Sequence, residues 1–73
     1  MILKSKFNSS IDAVKTAIAT YSQINGNVNF FVKPDAVFPE SKTVVIGEQN
    51  EIMFLIGYIA GLGVHTLEDV SKV

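Results

Sequence analysis

Val28, Phe30 and Val32 alternate with Asn27, Asn29 and Lys33, the period of two expected of a half-buried strand. Phe31 falls on the outer face of that strand as an additional aromatic, and Pro34 ends it. The opening Ile2, Leu3, Lys4, Ser5, Lys6 and Phe7 mixes apolar and basic residues in the same rhythm and predicts a first strand with Lys4 and Lys6 toward solvent. Between the two, Ile11, Val14, Ile18 and Tyr21 recur at three and four residues, with Ala13 and Ala17 widening the stripe, so the period is helical. Ser9 stands three residues before Asp12 as a capping-box-like start, and Asn25 with Gly26 supplies a left-handed stop. Lys42 to Ile46 is a β-branched run closed by Gly47, a further strand. The intervening stretch with Pro34 and Pro39 reads as an ordered connector into which Val37 and Phe38 tuck.

A second helix follows, with Asn50 as its cap and Glu51 in its first turn. It is apolar almost all round. Ile52, Leu55, Ile56, Ile59 and Leu62 form one stripe, and Met53, Phe54, Gly57, Tyr58 and Gly61 form another. One stripe covers a sheet; the other needs a partner of its own. Gly61 and Gly63 break the helix, and Thr66 with Asp69 repeats the capping-box spacing, which predicts a short closing helix over Leu67 to Lys72. The rival is a final strand through Val64 to Leu67, giving a split βαβ, ferredoxin-like pattern with a fourth strand. The expected fold is therefore α+β, one domain over residues 1–73. A three-stranded antiparallel sheet (2–7, 28–33 and 42–47, order βαββα) carries the 10–24 and 51–61 helices on one face, with the short C-terminal helix after them.

Composition changes this picture in one respect. By the scaling of folded chains, 73 residues expose roughly 4,400 Å² of roughly 11,500 Å², so the core is small. The chain has no Cys, so neither a disulfide nor a thiolate metal site can reinforce it, and close packing or self-association must. Charge excludes more. Six Lys against seven acidic residues give a net charge of −1, and there is no Arg; duplex nucleic acid is disfavoured as a partner, for want of both field and bidentate forks. The apolar start before Lys4 is too short for a signal peptide, which places the expected location in the cytoplasm. The uncharged stretch from Ile52 to Val64 extends about 19 Å as a helix, too short to span a bilayer.

Residues capable of catalysis are scarce. His65 is the single histidine, so no paired-histidine or Cys/His site can be assembled, and it reads as a loop residue beside a helix start. Glu48 and Glu51 sit where acids favour the positive end of a helix. Ser9 and Ser10 lack the turn that presents a nucleophile. Hence no catalytic residue, metal site or cofactor is expected. Lys4, Lys6, Lys33 and Lys42 are expected on strand ends or outer faces; if clustered beside Phe31 they would form a weak basic patch suited to single-stranded nucleic acid or a nucleotide, while lysines so placed more often protect sheet edges.

The run Gly61, Leu62, Gly63, Val64, His65, Thr66, Leu67, Glu68, Asp69, Val70 resembles the hairpin of the helix-hairpin-helix motif. That resemblance covers only residues 51–72. It implies a hairpin whose Gly61 and Gly63 N–H groups cradle a nucleic-acid phosphate, with Thr66 opening a second helix. Ala60 stands where that family carries Pro, and His65 where it favours a basic residue.

By subtraction, the expected function is a small non-enzymatic binding or inhibitor protein working through protein–protein contacts, in profile like phage or mobile-element accessory proteins. Phe54, Gly57, Tyr58 and Gly61 are the expected self-association residues of a homodimer, the two glycines permitting close approach. Phe31, Val37 and Phe38 are the expected contacts for a protein partner. The alternatives are a nucleic-acid-backbone binder through Gly61, Gly63 and Thr66, and a protein that sequesters a small ligand or nucleotide between subunits.

Overall fold

The computed structural model describes residues 1–62 and 67–73. Along the chain run β1 (Ile2–Phe7), α1 (Ile11–Asn25), β2 (Phe31–Pro34), β3 (Thr43–Glu48), α2 (Gln49–Gly61) and β4 (Leu67–Lys72). The four strands form one sheet in the order β2-β3-β1-β4, and every neighbouring pair is antiparallel. It follows that β1 and β2 run parallel with β3 between them, and β3 and β4 run parallel with β1 between them. Two split βαβ units are thus interlocked, the ferredoxin-like topology.

Two expectations are corrected here: the sheet has four strands rather than three, and Leu67 to Lys72 is β4 rather than a closing helix. The strand also lies further along than the Val64 to Leu67 segment, whose first three residues lie outside those described. The physical reason is long-range pairing. Without β4, one whole edge of β1 would leave its N–H and C=O groups unpaired beside the core. β4 supplies them from Leu67 to Lys72, and Val73 N–H donates to the Ile2 carbonyl at 3.1 Å beyond it.

Boundaries move by one to three residues. β2 starts at Phe31 rather than Val28, although Val28 and Phe30 still pack on the core. Ser10 rather than Ser9 caps α1: its backbone is extended (φ −63°, ψ 156°) and its Oγ accepts from Ala13 N–H at 3.3 Å. Gly26, at φ +85°, closes that helix, donating its N–H to the Ser22 carbonyl at 2.8 Å. Glu48 rather than Asn50 caps α2; its carboxylate accepts from Asn50 N–H at 2.8 Å and Glu51 N–H at 3.4 Å. Strand and helix are therefore joined with no intervening residue.

Side chains alternate across β1. Leu3, Ser5 and Phe7 are buried, while Ile2, Lys4 and Lys6 point to the opposite side. Leu3, Phe7 and Val45 of the sheet meet Val14 and Tyr21 of α1 and Ile52, Leu55 and Ile59 of α2 in one cluster, so both helices cover the same sheet face. Ser5 is buried there without loss of its hydrogen bond, because its Oγ donates to the Val45 carbonyl at 2.9 Å. Phe30 packs down on Gly47, where an added Cβ would stand 2.9 Å from its Cδ1. The accessible surface, 4564 Å², is within a few per cent of the roughly 4,400 Å² expected at this size. Its apolar exposure is thus a matter of where residues are placed, not of a loose shape.

Candidate functional site

The helix layer has two unlike outer surfaces. On α1, Asp12, Lys15, Thr16, Thr20 and Gln23 are exposed, a polar face of ordinary character. On α2, Asn50, Phe54, Gly57 and Gly61 recur at four, three and four residues along the side turned from the core, and all four are exposed, with Met53 beside them. Phe54 keeps 67% of its surface open. Among the described residues, an added Cβ at Gly57 or Gly61 would meet nothing within 4 Å beyond the adjoining helix backbone. Tyr58, expected on this face, turns instead toward α1 and packs edge-on to Tyr21, ring centroids 5.6 Å apart. Its position on the helix faces the neighbouring helix, and an aromatic edge-to-face contact there outweighs solvent exposure.

Beneath Tyr58, the Tyr21 hydroxyl donates to Glu51 Oε2 at 3.5 Å, tying the helices together. Burial, then the adjacent Glu51 charge and that hydrogen bond, raise the Tyr21 pKa above the usual tyrosine value. The pair holds the phenol neutral, which suits a structural tie and not a nucleophile.

The second open surface is the face of the sheet that carries no helix. Register places Phe31, Ile46, Lys4 and Ser71 in one row across β2, β3, β1 and β4, and Lys33, Val44, Lys6 and Asp69 in the next. Phe31 is 62% exposed; Lys4, two strands across in its row, and Lys33, two residues along β2, are exposed too. Val44 is buried but stands apart from the main cluster, as its register requires.

An ion cluster closes one end of this face. Lys6 Nζ lies 3.2 Å from Asp35 Oδ1 and 3.9 Å from Glu68 Oε2, and Glu68 also accepts a hydrogen bond from Lys42. Glu68 reaches both lysines from the irregularity in the β1–β4 register at Lys6/Phe7. Asp35 is the residue that tucks in, only 5% exposed. Its Oδ2 accepts from Val37 N–H at 3.0 Å and Phe38 N–H at 2.9 Å. With their backbone bound in this way, Val37 and Phe38, two and three residues on, are exposed and do not tuck in as expected. The Phe38 ring lies under Lys42, whose Nζ is 4.8 Å from its centroid. The Phe38 N–H bond first, then Lys6 and Val37 N–H, hold the Asp35 carboxyl below its ordinary value, against the opposing effect of burial.

The expected self-association residues Phe54, Gly57 and Gly61 thus share one face, and Tyr58 leaves it. Of the expected partner contacts, Phe31 lies on the open sheet face, and Val37 and Phe38 on the loop at its end. Of the proposed phosphate hairpin, Gly61 ends α2 in the open, while Gly63 and Thr66 lie outside the described residues. His65 does too. Sequence reasoning missed Asp35 as an organiser; its signal was the Pro34–Asp35 pair, since aspartate at a turn bonds the backbone two and three residues on.

Among the described residues no group of three or more His, Cys, Asp or Glu is placed to hold a metal ion, and no helix is long and apolar enough to cross a membrane. No protein-family model, curated protein or solved structure matches the chain.

Proposed function

We propose that the chain is a non-enzymatic binding protein that works through protein contact on the outer face of α2, and that a second copy of the chain occupies that face. The observation that carries this is Gly57. A glycine inside an exposed helix costs about 1 kcal/mol relative to alanine, and here a methyl group would meet, among the described residues, nothing within 4 Å beyond the adjoining backbone of its own helix. Gly47, by contrast, has its reason inside the fold, under Phe30. The use of Gly57 then lies outside the subunit, where a second backbone can approach it. Phe54, almost one turn earlier, is a projecting ring beside the shallow strip over Gly57 and Gly61. In an antiparallel, two-fold pair of helices each Phe54 fits the strip of the other, an isologous contact that satisfies both copies at once.

One helix face supplies only part of the roughly 800 Å² per partner that stable complexes bury, so the pair is expected to be a reversible one. Light scattering across dilution is expected to show a dimer at high micromolar concentration that separates on dilution. Gly57→Leu and Phe54→Ser are expected to remain monomeric. Because the chain has no Cys, Gly57→Cys is expected to form a disulfide-linked dimer on oxidation while Lys15→Cys does not. A wild-type chain that stays monomeric at high micromolar concentration removes the proposal.

A further inference from the structure

We infer that the helix-free face of the sheet binds single-stranded nucleic acid, with Phe31 as the platform for a base and Lys4 and Lys33 as contacts for the flanking phosphates. Charge complementarity on this face supports it. Of its four lysine heads, Lys6 and Lys42 are engaged by Asp35 and Glu68. Lys4 and Lys33 have no carboxylate within ion-pair distance among the described residues. Of the acids on this face, the Glu48 carboxylate is turned to the first turn of α2 and Asp35 and Glu68 hold the ion cluster, while Asp69 stands diagonally across from Lys4 on β4, out of ion-pair distance of it. Two unneutralised cations therefore border an exposed aromatic ring.

Spacing fits the same occupant. Phe31 and Lys4 are two strands apart in one row, about 9–10 Å, and Phe31 and Lys33 are two residues apart along β2, about 7 Å. A base stacked on Phe31 thus has phosphates within reach of a lysine on two sides. Ile46, between Phe31 and Lys4, continues the apolar floor. Asp69 lies in the adjacent row on β4 without an ion-pair partner among the described residues and repels a polyanion there, so the path is confined to β2, β3 and β1. A second copy is a poor occupant of this face, because stacking two such faces would gather four lysine heads unpaired among the described residues, Lys4 and Lys33 of each copy, in one interface. An acidic peptide offers the charge but no planar ring for Phe31. Duplex nucleic acid keeps its bases stacked away from the platform, and the chain has no Arg with which to grip it.

The test is fluorescence anisotropy of a labelled short oligothymidylate, and of the matching oligouridylate, at low salt and then across a salt series. Binding is expected for both, with log affinity falling against log salt at a slope of roughly −1.4 for two phosphate contacts. Phe31→Ala is expected to weaken binding by roughly five-fold or more, the lower limit for losing one stacked base. Lys4→Gln with Lys33→Gln is expected to flatten the salt dependence, and Asp69→Asn to tighten binding. All four side chains are exposed, and a circular dichroism spectrum matching wild type shows that each variant is folded. Absence of binding at low salt overturns the inference. So does binding that Phe31→Ala leaves unchanged, or that polyglutamate displaces as well as the unlabelled oligonucleotide, since either means attraction by charge alone. Phe54→Ser, on the opposite side of the molecule, is expected to bind the oligonucleotide as wild type does, which separates this surface from the α2 contact.

Discussion

Single residues in this chain owe their identity to unlike causes, and three glycines and an aspartate make the point. Gly26 is required by a backbone at φ +85°, a conformation costly for any residue with a Cβ. Gly47 is required by Phe30: Gly47→Ala is expected to destabilise the fold by about 1–3 kcal/mol, since the new methyl must displace a packed ring. Gly57→Ala is expected to have the opposite sign, stabilising the separated subunit by about 1 kcal/mol through helix propensity. Urea unfolding at low protein concentration checks both, and a destabilised Gly57→Ala would mean that the helix needs this glycine internally. Asp35 predicts an acid limit. Its carboxyl is held below its ordinary value in the folded state, so the stability it contributes is complete above about pH 4 and is lost as pH falls through the lower folded value. The difference in melting temperature between wild type and Asp35→Ala is expected to shrink as pH drops below about 4, and a difference constant from pH 2 to pH 6 would contradict that assignment. Gly26 was readable from its Asn25 neighbour, whereas the reach of Asp35 to Lys6 crosses the fold and leaves no local trace.

At the level of elements, the amphipathic segments were readable because their periods record which side is buried. Ile11, Val14, Ile18 and Tyr21 marked α1, and Val28, Phe30 and Val32 marked the approach to β2 and the strand itself. Of the α2 stripe, Ile52, Leu55 and Ile59 are buried and Ile56 is half-buried as the spacing implies, whereas Leu62, past the end of the helix, is exposed. β4 was misread for an identifiable reason. Of Leu67 to Lys72, Val70 is the apolar residue that packs against the core, so the strand shows almost no alternation, while Thr66 and Asp69 imitate a helix start. Pairing with β1 overrode both signals. This gives an order of protection: amides of β1 and β3, bonded on both sides, are expected to exchange with solvent most slowly, and those at the outer edges of β2 and β4 much faster. Hydrogen exchange by NMR reads this directly, and rapid exchange along β1 would be incompatible with a paired β4.

Across the whole molecule, the two layers divide the open surface by chemistry. The helix layer presents an uncharged strip on α2, and the sheet layer presents lysines around Phe31. Contacts with separate occupants on opposite sides do not compete, so a dimer would carry two outward sheet faces. If self-association is coupled to folding, the melting temperature depends on protein concentration, and tenfold dilution near the dissociation constant is expected to lower it by about 2–5 °C. A midpoint independent of concentration across the micromolar range would count against the α2 contact. The presence of spare apolar surface was readable from the uncharged Ile52 to Val64 stretch; the clustering of Lys4 and Lys33 around Phe31 was not fixed until strand order was known.

The direct joint between Glu48 and Gln49 sets a limit on how this chain can change. With no slack between a central strand and its helix, adding a single residue there would turn α2 by about 100° about its axis. Ile52, Leu55 and Ile59 would swing out of the interior as a group, and Phe54 would swing inward. Length variation is therefore tolerable in the long β2–β3 connection and ruinous at this joint, where the register of the strand dictates the azimuth of the helix.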